Sequence, residues 1–206
     1  MVNLSEPAAD LLGANTARIL LALHRVSAGL TGRRISAVTE VPPASANRVL
    51  SELREIGLVT GESAGSGTLY RLNRAHLLWE PIERMLATPA HVEQLIGSIV
   101  HDAVGDRATV AVYGSFARGE AGRDSDADIL IIWNDDVTQS SRDEIIDELV
   151  ERVGTSTGNA AQVVALTRDD LRRLVRSEDP LVESWRSDAK TIFGPDLRLR
   201  LRMDGE

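Results

Sequence analysis

The most constraining feature of this chain is a short apolar segment that runs into Gly-Ser and is followed, ten residues later, by an Asp-x-Asp pair leading straight into a second apolar segment. Residues 108–113, ATVAVY, have the length and composition of a buried strand. At Gly114-Ser115 the chain must turn sharply into a short helix. Glycine lets the backbone come close to a ligand, and a helix start offers unpaired amides, so this junction is a cradle for phosphate oxygens with the Ser115 hydroxyl as an added donor. Asp126-Ala127-Asp128 then opens the run Ile129 to Trp133. In a strand, residues two apart share a face, so Asp126 and Asp128 project together while Ala127, Ile129 and Ile131 point the other way. Two like charges side by side are unfavourable unless a cation or a proton compensates them. A hard divalent ion such as Mg2+ is the usual compensator. Arg118 and Arg123, in the intervening loop, are placed to neutralise phosphate charge.

The segment GSFARGEAGRDSDADILII resembles the signature of the DNA polymerase β nucleotidyltransferase superfamily, in particular the minimal nucleotidyltransferases whose motif is Gly-Ser, ten residues, then Asp-x-Asp. The resemblance implies transfer of a nucleoside monophosphate from an NTP to an acceptor hydroxyl, with pyrophosphate released. Gly114, Ser115, Arg118 and Arg123 would then bind nucleotide, and Asp126 and Asp128 would be catalytic and hold Mg2+. The superfamily generally places a third acid on a neighbouring strand. Here that strand is expected at residues 160–166, AAQVVAL, and the position falls on Gln162. Glutamine can ligate a metal through its carbonyl but can neither act as a base nor balance its charge. Two outcomes stay open: catalysis on two carboxylates, or nucleotide sensing without turnover. The remainder predicts a helix over 140–153, a helix capped by Thr167, a helix over 179–188 and a strand over 191–193. The alternating Arg and Leu after Gly194 predict pairing at a sheet edge.

The N-terminal part carries a different pattern. Ile19, Ala22, Leu23 and Val26 share one helix face, with Asn15 as the expected cap. Thr31 caps a second helix that ends before Pro42-Pro43, and a third opens at Pro43 or Ala44, buries Ala46, Val49, Leu50 and Leu53, and ends at Gly57. A hairpin follows, with strands at Leu58-Val59 and Thr68 to Leu72 around a tip at Ser63 to Gly67. Residues 12–74 resemble the winged helix-turn-helix regulators of the MarR and ArsR type. That resemblance implies DNA binding through the third helix, with Ser45, Asn47 and Arg48 nearest the bases. Such regulators often pair, so a homodimer is a candidate state.

The charge distribution agrees with two kinds of function. Residues 1–75 hold eight Arg against six Asp or Glu, whereas residues 76–206 hold fifteen Lys or Arg against twenty-five Asp or Glu. The first half can approach a phosphate backbone, and the second would be repelled by it without cations. The chain has no cysteine, which excludes disulfides, thiolate zinc sites and thiol nucleophiles. With no apolar run of membrane-spanning length and no signal-peptide pattern, a cytoplasmic protein without a membrane partner is expected. The four histidines are too scattered for a metal site. The expected organisation is thus α+β: a winged helix domain over 1–74, a helical connector over 75–104 interrupted at Pro81 and Pro89, and over 105–206 a polymerase β-like nucleotidyltransferase domain with a mixed sheet and flanking helices. The expected function is Mg2+-dependent transfer from an NTP, with DNA and a protein hydroxyl as partners, the rival being a transcription regulator that senses nucleotide.

Overall fold

The computed structural model of the protein describes residues 1–65 and 67–203. By internal contacts the chain divides into two units, Glu6–Thr88 and Met1–Ser5 together with the chain from Pro89 onward.

The first unit begins with α1 (Pro7–Leu12) and α2 (Ala14–His24), followed by β1 (Leu30–Thr31), α3 (Gly32–Thr39), α4 (Pro43–Glu55), the hairpin β2 (Val59–Ala64) and β3 (Gly67–Leu72), and α5 (Trp79–Leu86). Helix α2 starts one residue ahead of Asn15, with Gly13 in the cap position, so Asn15 lies inside the helix and is not its cap. Thr31 does cap α3, its side chain accepting from the Arg34 amide. Proline at the first position of α4 fits because that amide has no helical partner anyway. The strand order is β1-β3-β2, all antiparallel, with Val59 opposite Leu72 and Ala64 opposite Gly67. The hairpin strands reach closer to the turn than the expected tip, of which Ser66 lies outside the described residues. Ile19, Leu20, Leu23, Ile35, Leu50 and Leu58 are all but inaccessible and form the core of this unit. Each such side chain stabilises the fold by about 2 kcal/mol.

The second unit contains α6 (Thr88–Val104), β4 (Ala108–Tyr113), α7 (Gly114–Arg118), β5 (Ala127–Trp133), α8 (Gln139–Thr157), β6 (Ala161–Thr167), α9 (Arg168–Arg176), α10 (Pro180–Asp188), β7 (Lys190–Phe193) and α11 (Leu197–Met203). The stretch expected as a connector therefore supplies α5 to the first unit and most of α6 to the second. Pro81 and Pro89 fall in the first turns of these helices, where a missing amide is tolerated. The sheet is mixed, in the order β6-β5-β4-β7: β5 runs parallel to β6 and antiparallel to β4, and β4 antiparallel to β7. One face, with Val110, Val112, Ile129 and Ile131, packs with residues of α6 and α8. The other, with Ala111, Tyr113, Leu130 and Ile132, packs with residues of α9, α10 and α11.

The tail corrects the sequence reading. The Arg-Leu alternation has a strand's period, yet residues 197–203 are helical: Leu197 and Leu201, four apart, are buried, and Leu199 is 58% exposed. Asp196 decides the matter, because its Oδ1 accepts from the Arg198 amide at 2.7 Å and starts the helix. No helix among the described residues is long and apolar enough to cross a membrane.

Candidate functional site

Strand β4 is one of the two inner strands of the mixed sheet and is buried throughout, and it delivers Gly114 at its end. Gly114 has φ +67°, the left-handed region, and α7 is a five-residue turn ending at Gly119, also left-handed at φ +72°. The register places Tyr113 of β4 opposite Asp128 of β5, and Asp128 in turn opposite Gln162 of β6, so one row crosses three strands. Ala127, Ile129 and Ile131 are fully buried on the opposite face, among residues of α6 and α8. The two motifs, separated in sequence, are in direct contact. A Cβ added to Gly114 would sit 2.3 Å from Asp128 Oδ2. Glycine here makes room for a carboxylate of the same site.

The acids crowd one another electrostatically. Burial pushes the Asp128 carboxyl above its ordinary range, the charges of Asp126 and Asp188 push it further, and Arg118 opposes them. Burial, and then the Asp128 charge, raises the Tyr113 phenol. Gln162, exposed on edge strand β6, donates from Nε2 to Asp126 Oδ2 at 2.5 Å. Asp126 thus has a neutral donor beside it where the sequence reading looked for a third acid. The donor set suits a hard cation: the Asp128 carboxylate stands against Gly114 with the Asp126 and Asp188 charges acting on it, and Arg118 opposes them. Among the described residues, no group of three or more His, Cys, Asp or Glu is arranged to hold a metal by itself. Any such ion would draw the rest of its ligands from substrate or water.

A raised carboxyl has a consequence for stability. The folded state favours protonated Asp128, so the favourable contribution exists below the unfolded carboxylate value and is lost as pH rises through the folded one. At neutral pH the ionised group is a liability in the metal-free protein. Asp128→Asn is therefore expected to raise Tm at pH 7 by about 1–3 °C, the group being partly exposed. Thermal melts should show the gain vanishing as pH falls below the ordinary carboxylate range.

The other predicted residues distribute as follows. Ser115 is half-buried, and its hydroxyl has no protein hydrogen-bond partner among the described residues. Arg118 is exposed and held by Glu120 and Asp188. Arg123 is exposed on the loop, which is anchored from an unexpected direction. Asn159, 1% exposed, donates from Nδ2 to the carbonyls of Arg123 and Ser125 at 2.8 and 2.9 Å, and its Oδ1 accepts from the Val2 amide at 2.9 Å. Ser5 Oγ accepts from the Ala121 amide at 2.8 Å, and Leu4 is fully buried in the core. The segment Val2 to Ser5 and Asn159 together pin the loop between the two motifs. On α4, Ser45 is half-buried, Asn47 is exposed, and Arg48 is exposed and paired with Glu52 at 2.7 Å.

Sequence reasoning missed Asp188 and Asn159. Asp188 closes α10 with a side chain only 9% exposed, and it carried no signal beyond its charge. A signal for Asn159 existed in its position just after Gly158, which ends α8 in the left-handed conformation at φ +76°.

Solved structures with similarity include a toxin-antitoxin with AMP-PNP, 18% identical over 55% of this chain and 80% of that one, TM-score 0.38. A mutant of the toxin-antitoxin MntA-HpeT is 17% identical over the same shares, TM-score 0.38. TrmBL2, an archaeal chromatin protein, is 20% identical over 83% of this chain and 70% of that one, TM-score 0.27. No curated protein matches the sequence. The family model that matches is that of the nucleotidyltransferase domain, and it covers residues 93–181, the stretch holding Gly114, Ser115, Asp126, Asp128 and Gln162.

Proposed function

We propose that the protein is a Mg2+-dependent nucleotidyltransferase that moves a nucleoside monophosphate from an NTP to an acceptor hydroxyl, a hydroxyl on a protein being the favoured acceptor. The observation that carries this is the contact of Gly114 with the Asp128 carboxylate, which brings the Gly-Ser turn against one of the two motif acids. Mg2+ would be held by Asp126 and Asp128, and when bound it supplies charge compensation and polarises the phosphoryl oxygens. Gly114 lets the backbone approach the triphosphate, and the Ser115 hydroxyl is available to donate to it. Arg118 at the end of α7 and Arg123 on the following loop add positive charge. In the transfer, the acceptor oxygen bonds to the α-phosphorus, the bond to pyrophosphate breaks, and the acceptor's proton leaves to a base.

A second reading has its own observation. Because Gln162 supplies no base and its amide already occupies Asp126, the domain would sense nucleotide without turnover. One assay separates them. Incubated with Mg2+ and NTPs labelled on the α-phosphate in a lysate containing acceptors, the wild type is expected to pass label to a macromolecule, and Asp126→Ala and Asp128→Ala are expected not to. Saturable NTP binding with no label transfer supports the sensor.

For the first unit we propose a winged helix that binds DNA, with α4 as the reading helix and Ser45, Asn47 and Arg48 nearest the bases. Supporting this are the three-helix and hairpin order, the exposure of Asn47 and Arg48, and the exposed Arg33 and Arg34 on α3. Two copies would present two such helices, and a homodimer in a cytoplasmic setting is part of this reading. Removing Arg48 by Arg48→Ala is expected to weaken duplex binding and to lower the slope of log affinity against log salt by about 1. Electrophoretic shifts at several salt concentrations check this. Absence of any binding by the wild type at low salt contradicts it.

A further inference from the structure

Arg118 is held from two sides. Its Nε donates to Glu120 Oε2 at 2.8 Å and its Nη1 donates to Asp188 Oδ2, while Nη2 has no protein hydrogen-bond partner among the described residues. The two carboxylates differ in kind. Glu120 is 63% exposed on the loop, where water and salt weaken such a pair, whereas Asp188 is 9% exposed. The position of Asp188 is also built in. Trp185, one turn earlier on α10, is fully buried and packs edge-on against Tyr113 at 6.2 Å, and Tyr113 is the residue immediately before Gly114. Asp188 Oδ1 is buried and has no hydrogen-bond partner among the described residues. A buried carboxylate half satisfied by a single arginine is a costly arrangement, which stability alone does not account for.

We propose that Asp188 is a positioning residue for nucleotide binding: it fixes the Arg118 guanidinium at the end of the turn that starts at Gly114, with Nη2 presented to an oxygen of the triphosphate. The inference rests on the nucleotidyltransferase reading and adds a residue from α10, outside the two motifs. Its sign is distinctive. If Asp188 acted only through its own negative charge, removing it would strengthen binding of a polyanion. Acting through Arg118, its removal lets the guanidinium swing free and weakens binding.

The test is calorimetric titration of the four NTPs, each with Mg2+, into the full chain and its Asp188→Ala, Asp188→Asn, Arg118→Ala and Asp188→Ala/Arg118→Ala variants. For the NTP that binds best, Asp188→Ala is expected to weaken affinity by about tenfold, the scale of one charge-assisted hydrogen bond. Asp188→Asn, which keeps an oxygen able to accept from Arg118, is expected to lose less, and it carries the test should the alanine variant not fold. In the double variant the Asp188 change is expected to add nothing to the loss from Arg118→Ala. Unchanged or tighter binding in Asp188→Ala, or losses that simply add, overturns the proposal. A wild type that binds no NTP in Mg2+ overturns the reading beneath it instead, so the two failures are distinguishable.

Discussion

Gly114→Ala is expected to leave a folded protein that has lost label transfer by about 100-fold or more, the scale of a displaced catalytic group. The added methyl would meet Asp128 Oδ2 at 2.3 Å, well inside van der Waals contact. What lies in the way is the end of a side chain, so the clash is relieved by rotating that carboxylate away from Asp126, at the expense of the site. The left-handed φ of +67° adds strain of about 1–2 kcal/mol for any residue with a Cβ. Label transfer measured beside a urea titration separates the two effects. The account expects the kinetic loss to exceed greatly anything the small stability loss explains. A Gly114→Ala protein with wild-type transfer would mean that Asp128 need not stand where it does.

Gly194→Ala is expected to do the reverse and damage the fold itself. Gly194 follows β7 with φ +77°, and a Cβ there would meet the Ala108 carbonyl oxygen at 2.2 Å and Thr109 Cα at 3.1 Å. These are backbone atoms of β4, the strand that delivers Gly114, and no rotamer moves them aside. Relief requires β7 or its exit to shift, which strains the β4–β7 pairing and the Thr109 hydroxyl's hydrogen bond to the Pro195 carbonyl at 3.0 Å. A loss of about 3 kcal/mol or more is expected, in the range of steric conflicts in a packed interior. Chemical denaturation checks it, and a loss under about 1 kcal/mol would show that the chain after β7 yields more easily than this packing implies.

The contrast between these glycines shows where the sequence was readable. The Gly-Ser turn, the Thr31 and Thr167 caps and the buried β4 all depend on residues a few positions apart, and local periodicity reports such relations. Gln162 could be placed beside the acids only through the family resemblance, and the register of β5 and β6 sets it opposite Asp128. What escaped was held by distant partners. Asp188 meets Arg118 across 70 positions, and Asn159 meets Val2 across 157, with no periodicity to announce either contact. The segment Met1–Ser5 belongs with the second unit, although the sequence order suggested the first, because Leu4 enters that unit's core and Asn159 binds the backbone beside it. The tail misled for a local reason: Asp196, a side-chain cap, outweighed a two-residue alternation.

The central claim is that Asp126 and Asp128 jointly hold a divalent cation brought together with an NTP. Mn2+ binding followed by electron paramagnetic resonance, in the presence and absence of NTP, tests it without need of an acceptor. The account predicts Mn2+ uptake by the wild type that is strengthened by NTP and lost in Asp126→Asn/Asp128→Asn, while that variant keeps a cooperative thermal transition. Uptake of Mn2+ and NTP at wild-type strength by the double variant would contradict it.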